Sequence, residues 1–265
     1  MKDDDSNGTI VSMKAVNIMD KKLNLKQQLN KLGIADAESA EARMLTFMRL
    51  VLERNETINL TSITGEDEFI DKHFLDSVAC YGWPEIEAAE HIVDVGTGAG
   101  FPGVPLAIVY PEKRFLLIDS LGKRIDFLRE ATAAMKLENI SVLHSRAEDA
   151  GRNKEFRERF DLCVSRAVGN LSVLSEYCLP FVKVGGRFYA YKTLNAVSEI
   201  EDSCIARELL GGASAVDVRT AGWNGCPPEA ATTGVSGHNI MVMKKVRPTP
   251  RTYPRKAGTP GRVPL

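Results

Sequence analysis

The sequence predicts an α/β fold built on a mostly parallel β-sheet. From residue 91 onward, short apolar runs alternate with longer amphipathic segments, which is the pattern of β-α-β units. A glycine-rich segment comes after the first apolar run and opens the first of these helices. Two late strand candidates, residues 215–221 and 239–246, have no convincing helix between them. We therefore expect the sheet to end in an antiparallel C-terminal hairpin at one edge.

Several elements are predicted in order along the chain. Residues 1–22 are acidic and polar and are expected to be disordered, whereas residues 23–82 form an N-terminal helical extension that packs on the main domain. Its helices are predicted near residues 23–33, 36–55 and 69–80. In the main domain, residues 83–246, strands are predicted at 91–95, 114–118, 140–144, 160–165 and 186–192, with helices near 104–109, 123–137, 171–181 and 196–209. Residues 247–265 form a basic, proline-rich tail.

Composition excludes several classes of protein. The 265 residues are 44% apolar and 26% charged with a net charge of -1, which is ordinary for a globular domain. No run approaches a membrane span, and the acidic start lacks the features of a secretory signal. The five cysteines are scattered, and the four histidines have no ligand spacing. We expect a cytoplasmic monomer with reduced thiols, no bound metal and no membrane contact.

The glycine-rich loop between the first strand and the first helix predicts a nucleotide-like ligand. Gly96, Gly98 and Gly100 allow a sharp turn and a close approach of ligand to backbone, and the helix after them presents unpaired N–H groups. Gly98, Gly100 and Gly103 also satisfy the dinucleotide fingerprint, so the loop alone leaves a nicotinamide dinucleotide open. Asp119, at the end of the second strand, would hold ribose hydroxyls in either case.

Three features favour S-adenosylmethionine, and hence a Rossmann-like class I methyltransferase. Asp94 lies two places before the first glycine, where dinucleotide folds usually have an apolar residue. Ala147 and Glu148 come after the third strand, where methyltransferases contact adenine. The segment 179–188, with its two consecutive glycines, is typical of the turn before their fifth strand. Two alternatives stay open: Asp94 would only cap its own loop, and Glu148 would be a first-turn acid favoured by the helix dipole.

The residues at the end of the fourth strand narrow the choice of acceptor. Enzymes that methylate exocyclic amines often have an Asn/Asp-Pro-Pro-aromatic motif there, whereas residues 165–168 are Ser-Arg-Ala-Val. Cys163 lies inside the strand and is expected in the core rather than as a nucleophile. N7 of guanine has an exposed lone pair and needs no deprotonation. Alignment of N7 with the methyl group would therefore supply most of the acceleration. Arg166, at the carboxyl edge of the sheet, is the candidate for positioning the base; a salt bridge within the fold is its alternative.

Basic residues predict contact with RNA. From residue 230 to the end there is no acidic residue, and seven are basic, so the tail would be attracted to phosphate. A solvated, disordered end is the alternative. The expected RNA-binding residues are Lys123, Arg124, Lys192, Arg255 and Lys256.

Several segments together resemble the glucose-inhibited division protein B family. They are residues 52–61, 73–77, 94–105, 119–124, 146–148 and 165–167, and the tail 253–260 resembles the Gram-positive branch. That resemblance implies methylation of a guanine N7 in the 16S rRNA loop near the decoding site. It also implies that Gly96, Phe101, Ala147, Glu148 and Arg166 contact the cofactor and that Lys123 and Arg124 meet RNA. Residues 211–237 depart from the charged equivalent that the family would have.

Other functions stay open at this point. A methyltransferase with a small-molecule or protein acceptor would share the loop, although the basic tail argues against it. A non-catalytic RNA-binding ribosome assembly factor would keep the fold, but the intact loop argues against loss of the cofactor. If the acceptor is 16S rRNA, either the naked RNA or the 30S subunit could be the substrate.

Overall fold

A seven-stranded sheet forms the centre of the molecule. The computed structural model describes residues 24–166, 169–220 and 238–265. The strands are β1 (His91–Val95), β2 (Arg114–Asp119), β3 (Ile140–His144), β4 (Phe160–Arg166), β5 (Val182–Thr193), β6 (Gly212–Thr220) and β7 (His238–Lys245). Their order is β3-β2-β1-β4-β5-β7-β6. The first five strands pair in parallel, whereas β7 runs antiparallel to both β5 and β6. The predicted α/β fold and its antiparallel end are confirmed.

Helices cover both faces of the sheet. They are α1 (Leu25–Lys31), α2 (Ala37–Asn55), α3 (Glu66–Phe69), α4 (Pro84–Glu87), α5 (Gly103–Val109), α6 (Gly122–Ala134), α7 (Ala147–Arg152), α8 (Leu171–Cys178), α9 (Glu199–Asp202), α10 (Cys204–Leu209) and α11 (Thr259–Arg262). A π-helix, Ile70–Leu75, continues α3, and 3-10 turns occupy Leu179–Phe181 and Leu194–Ser198. Within the described ranges, none of these helices is long and apolar enough to cross a membrane.

The two-residue repeat of the strands divides the core between the two faces. In β4, Leu162 and Val164 belong to an apolar cluster that includes residues of α1, α2, α5 and α6, while Cys163 between them belongs to a second cluster that includes residues of α8 and β7. A strand buried on both sides requires this alternation. Cys163 is completely buried, so it lies in the core as predicted. The N-terminal helices thus share a single apolar cluster with the sheet, and they are held close to its carboxyl edge.

Some predicted elements differ in detail. The helix predicted at 69–80 contains the π-helix, and the one predicted at 196–209 is divided into a 3-10 turn, α9 and α10. Helix α7 was not among the predicted helices. The predicted disordered start, residues 1–22, lies outside the described residues, as does most of the segment 211–237 that departs from the family; the two predicted hairpin strands are β6 and β7.

The tail is packed against the domain. Arg157, which precedes β4, donates hydrogen bonds to the carbonyl oxygens of Thr249 (2.7 Å) and Tyr253 (2.8 Å). Arg152 donates to Pro254 O at 2.6 Å. Because β7 ends at the amino edge of the sheet, the tail begins there and runs along α7 and α8 toward the carboxyl edge.

Candidate active site

A cavity of about 530 Å³ opens at the carboxyl edge of the sheet, where parallel α/β folds bind ligands. Its lining comes from the glycine loop, the ends of β2, β3 and β4, and the N-terminal extension. The lining residues are Leu60, His73, Val95, Gly96, Thr97, Gly98, Ala99, Phe101, Ile118, Asp119, Ser120, Leu121, Arg124, Ser145, Arg146, Ala147, Glu148, Arg166 and Tyr177. The volume is in the range of small-molecule sites.

The glycine loop forms one wall of this cavity. The N–H groups of Gly96 and Thr97 donate to Ile118 O, which fastens the loop to β2. Gly96 and Gly98 have φ angles of 72° and 61°, in the region that favours glycine. A Cβ on Gly98 would meet no atom within 4 Å, whereas one on Gly100 would lie 2.8 Å from Val104 Cγ2. Gly98 therefore keeps the cavity open, and Gly100 instead allows the loop to pack on the core.

Asp94 shapes the loop from beneath. Its Oδ2 accepts hydrogen bonds from Thr97 Oγ1 (2.7 Å) and from Gly103 N (2.9 Å), and its side chain is fully buried away from the cavity. Burial raises its pKa to about 7. We therefore revise the role suggested by the sequence: Asp94, like Gly100, supports the loop rather than lining the cofactor cavity.

Asp119 joins β2 to the loop at the cavity wall. Its Oδ2 accepts from Gly98 N at 2.9 Å, and its Oδ1 accepts from Leu121 N at 2.8 Å. Arg124 lies 3.4 Å from the same carboxylate, so this predicted RNA contact also lines the cavity. The carboxylate of Asp119 is thus fixed where the sequence predicted a ribose-binding acid.

Glu148 and Ala147 begin α7 on the opposite wall. The Glu148 side chain is almost fully buried, and its Oε1 accepts a hydrogen bond from Gly258 N of the tail at 2.7 Å. Gly261 lies close to Tyr177, which also lines the cavity. The end of the tail therefore supports this wall of the cavity.

Arg166 is held by the N-terminal extension. Its Nη1 donates to Asp76 Oδ2 (2.8 Å) and Lys72 O (3.0 Å), and its guanidinium lies 5.1 Å from the centre of the Phe101 ring. Asp76 is fully buried, so the salt bridge that was the alternative role exists. Arg166 nevertheless lines the cavity, so pairing and positioning are both open to it.

His73 completes this side of the cavity. Its ring stacks on Phe101 with 4.4 Å between centroids. Burial, with the positive charge of Arg166, lowers the pKa of His73 to about 3, so the ring is neutral at pH 7. The 3.2 Å contact with Arg166 Nη2 makes Nδ1 the acceptor, and Nε2–H then donates to Thr61 Oγ1 at 2.8 Å. Sequence reasoning assigned His73 no role of its own, although the residue stands in one of the family segments.

Apart from Arg124, which lines the cavity, the predicted RNA-binding residues divide into two groups. Lys123 and Lys256 are exposed. Lys192 Nζ donates to Gly169 O at 2.8 Å and pairs with Glu199 at 2.9 Å. The guanidinium of Arg255 pairs with the buried Glu176 through Nη2 at 2.6 Å. Because the charges of Lys192 and Arg255 are neutralised within the fold, we assign both a structural role in place of the predicted RNA contact.

The loop, the fixed Asp119 and the two walls fit S-adenosylmethionine. Backbone at Gly98 leaves room for a ligand beside it, Gly96 lines the same cavity, and a carboxylate at the end of β2 suits ribose hydroxyls. No group of three His, Cys, Asp or Glu side chains that could hold a metal occurs within 24–166, 169–220 and 238–265. Fold and site together define a class I methyltransferase.

Comparison with known proteins identifies the family. The family described as rRNA small subunit methyltransferase G matches residues 40–218. Proteins named ribosomal RNA small subunit methyltransferase G from Clostridium tetani and Lactobacillus delbrueckii are 43% and 42% identical over 241 residues each; both matches include at least 90% of this chain and 97% of the relative. The chain belongs to this family and is an S-adenosylmethionine-dependent rRNA methyltransferase, as the motifs predicted.

A solved structure agrees with the fold. A putative O-methyltransferase from Klebsiella pneumoniae superposes with a TM-score of 0.51 over 76% of this chain and 90% of that one, at 11% identity. At this identity the likeness concerns the fold alone. It is the arrangement expected of a class I methyltransferase domain.

Proposed function

We propose that the protein transfers a methyl group to N7 of a guanine in 16S rRNA by in-line displacement, without a general base. S-adenosylmethionine supplies the methyl group on a positively charged sulfur. Attack by N7 leaves no proton to remove, so the protein has to align the two reactants and exclude water. We expect this activity in the cytoplasm, where small ribosomal subunits are assembled.

The state of the proton acceptors in the cavity carries this proposal. Among the described lining residues, the imidazole and carboxylate groups belong to His73, Asp119 and Glu148. The pKa of His73 is lowered to about 3, and both of its ring nitrogens are in hydrogen bonds. Asp119 and Glu148 already accept hydrogen bonds from backbone N–H groups. A cavity whose imidazole is a weak base, and whose carboxylates hold the backbone of the loop and of the tail, suits an acceptor that gives up no proton.

Arg166 is the proposed positioning residue. Its salt bridge with Asp76 offsets part of its charge, which weakens its repulsion of the positive charge that the guanine ring acquires. Its several hydrogen bonds fix the guanidinium plane, which keeps little rotamer freedom to lose when the base enters. Arg166→Lys should lower kcat more than it raises KM for RNA, with unchanged salt dependence of RNA binding. A normal kcat would leave Arg166 only its structural salt bridge.

Atomic substitution of the target guanine tests the acceptor. A subunit with 7-deazaguanine at the modified position has carbon in place of N7 and should accept no methyl group. Inosine at the same position lacks the exocyclic amine but keeps N7, and should still be methylated. Labelled cofactor and mapping of the label give the readout. Methylation of the 7-deazaguanine subunit would exclude N7 as the acceptor.

The pH dependence of the methyl-transfer step gives a second test. In single-turnover assays with saturating substrates, the rate constant should change little between pH 6.5 and 9, because no catalytic group has to lose a proton. An acceptor that must be deprotonated would instead give about a tenfold rise per pH unit below its pKa.

A further inference from the structure

A second concave surface lies away from the active site. It is a groove of about 780 Å³ between the segment that joins α7 to β4 and the start of the tail. Five basic side chains line it: Arg152, Lys154, Arg157, Arg159 and Arg251. This concentration of positive charge stands out on a chain whose net charge is -1.

Glu158, the acidic side chain among the described residues that line the groove, does not cancel this charge. Its Oε1 accepts from Thr249 N at 2.7 Å and lies 3.4 Å from the fully buried Lys245 Nζ. The negative charge of Glu158 is therefore balanced by a buried lysine beneath the groove. The five cations that face the groove keep an excess of positive potential.

Two of the arginines are fixed by neutral partners. Arg157 donates to the carbonyl oxygens of Gly151, Tyr253, Thr249 and Pro250, and Arg152 donates to that of Pro254. These bonds hold the guanidinium groups in place without neutralising them. Burial lowers the pKa of Arg157, and Glu158 opposes that shift, while the nearby Arg152 and Arg251 add to it.

The groove extends to the edge of the sheet opposite the reaction centre. Arg159 immediately precedes β4, whose other end is Arg166 in the cofactor cavity. A strand rises about 3.3 Å per residue, so the two ends lie roughly 20 Å apart. A single nucleotide therefore cannot occupy both the cofactor cavity and the groove.

We propose that this groove binds the sugar–phosphate backbone of a second segment of small-subunit RNA, remote from the methylated base. Arg152, Arg159 and Arg251 are exposed and can donate to phosphate oxygens, while Arg157, whose Nη groups donate to four carbonyl oxygens, adds positive charge. Such phosphate contacts raise affinity without reading sequence. The inference rests on the RNA substrate of the family and goes beyond the proposed choice of N7. It implies that folded RNA large enough to reach both sites is the preferred substrate.

The test removes three groove cations that have no role in the fold. Within the described residues, the side chains of Lys154, Arg159 and Arg251 make no hydrogen bond or ion pair, so their joint replacement by alanine should leave the melting temperature unchanged. The matched control replaces Lys31, Arg43 and Arg49 of the N-terminal helices by alanine. It removes the same charge elsewhere.

Filter binding to 30S subunits at several salt concentrations gives the readout. Loss of three phosphate contacts should reduce the slope of log affinity against log salt by about 2–3 and weaken binding on the order of tenfold to a hundredfold at 0.1 M salt. Equal losses in both variants, or wild-type binding by the groove variant at every salt concentration, would overturn the proposal. Binding is measured without cofactor, so the outcome does not depend on which atom is methylated.

Chemical protection gives a second measurement on the unaltered protein. The amine of Lys154 should react more slowly with an acetylating reagent when the 30S subunit is bound, whereas Lys31 should react at the same rate. In steady-state assays that vary the concentration of the 30S subunit, the groove variant should keep the kcat of wild type and show a raised KM for the subunit. Unprotected Lys154 in the complex would also exclude the groove as an RNA contact.

Discussion

Replacement of Arg255 separates the structural role of the tail from an RNA-binding one. Glu176 is buried, with its side chain 1% exposed, and the Arg255 guanidinium donates to both of its oxygens at 2.6–3.0 Å. Arg255→Met would leave that carboxylate without its counter-charge. Removing one partner of a buried pair costs about 3–5 kcal/mol. Because Arg255 is 24% exposed, water moderates the loss, and we expect roughly 3 kcal/mol.

Thermal unfolding measures this cost. For a domain of this size, 3 kcal/mol corresponds to a melting temperature lower by about 6–12 °C. Lys256→Met is the matched control, because the neighbouring lysine is exposed and should be neutral. The double variant Arg255→Met with Glu176→Gln should recover part of the loss, since no buried charge is left. A melting temperature for Arg255→Met within about a degree of wild type would refute the structural role.

Arg255→Met should also weaken the binding of S-adenosylmethionine. The tail that Arg255 fastens presents Gly258 N to Glu148, so loosening it removes a hydrogen bond from a wall of the cavity. Calorimetry at a temperature where the variant remains folded should show a Kd for S-adenosylmethionine raised several-fold. Truncation after Val246 should have the same effect, because it removes Gly258 together with the rest of the tail. Unchanged affinity in both would restrict the tail to stability.

Three further predictions concern the loop and its supports. Asp119→Ala should weaken S-adenosylmethionine binding by about 1–3 kcal/mol in calorimetry, because a charged acceptor is lost; unchanged affinity with an intact fold would remove it from the site. Gly98→Ala should fold with a strain of about 1–2 kcal/mol yet bind cofactor poorly. Gly100→Ala should chiefly lower the melting temperature, because its Cβ would clash in the core. Equal effects of the two variants on cofactor affinity and on melting temperature would contradict this assignment. Burial raises the pKa of Asp94 from 3.8 to about 7, so the folded state binds this proton more tightly than the unfolded state does. Wild type should therefore lose stability relative to Asp94→Asn as pH rises from about 4 to 7. Melting temperatures of the two proteins that change in parallel across that pH range would contradict this prediction.

The strands and the loop could be predicted because their signals are local. Strands β1 and β3 have the predicted bounds, and β2 and β4 differ by one residue at an end, since each is a short apolar run between turn residues. The helix predicted at 196–209 was less accurate, because Ser203 separates α9 from α10 and accepts a hydrogen bond from the fully buried Arg207. Burial of such a polar side chain depends on neighbours that a local pattern does not contain.

The sequence by itself determined the fold class, the glycine-rich loop, the position of Asp119 at the end of β2 and the family, because spacing and residue type along the chain specify them. Only the tertiary structure showed that Asp94 supports the loop, that Arg166 pairs with Asp76 and that the tail packs against the domain. Arg166 meets a partner 90 residues before it, Glu148 one 110 residues after it, and Arg255 one 79 residues before it. A basic residue has the same pattern in sequence whether it faces phosphate or a buried carboxylate. Which of the two it meets depends on how distant segments pack, and that packing directed Arg255 inward while leaving the charges of the groove exposed.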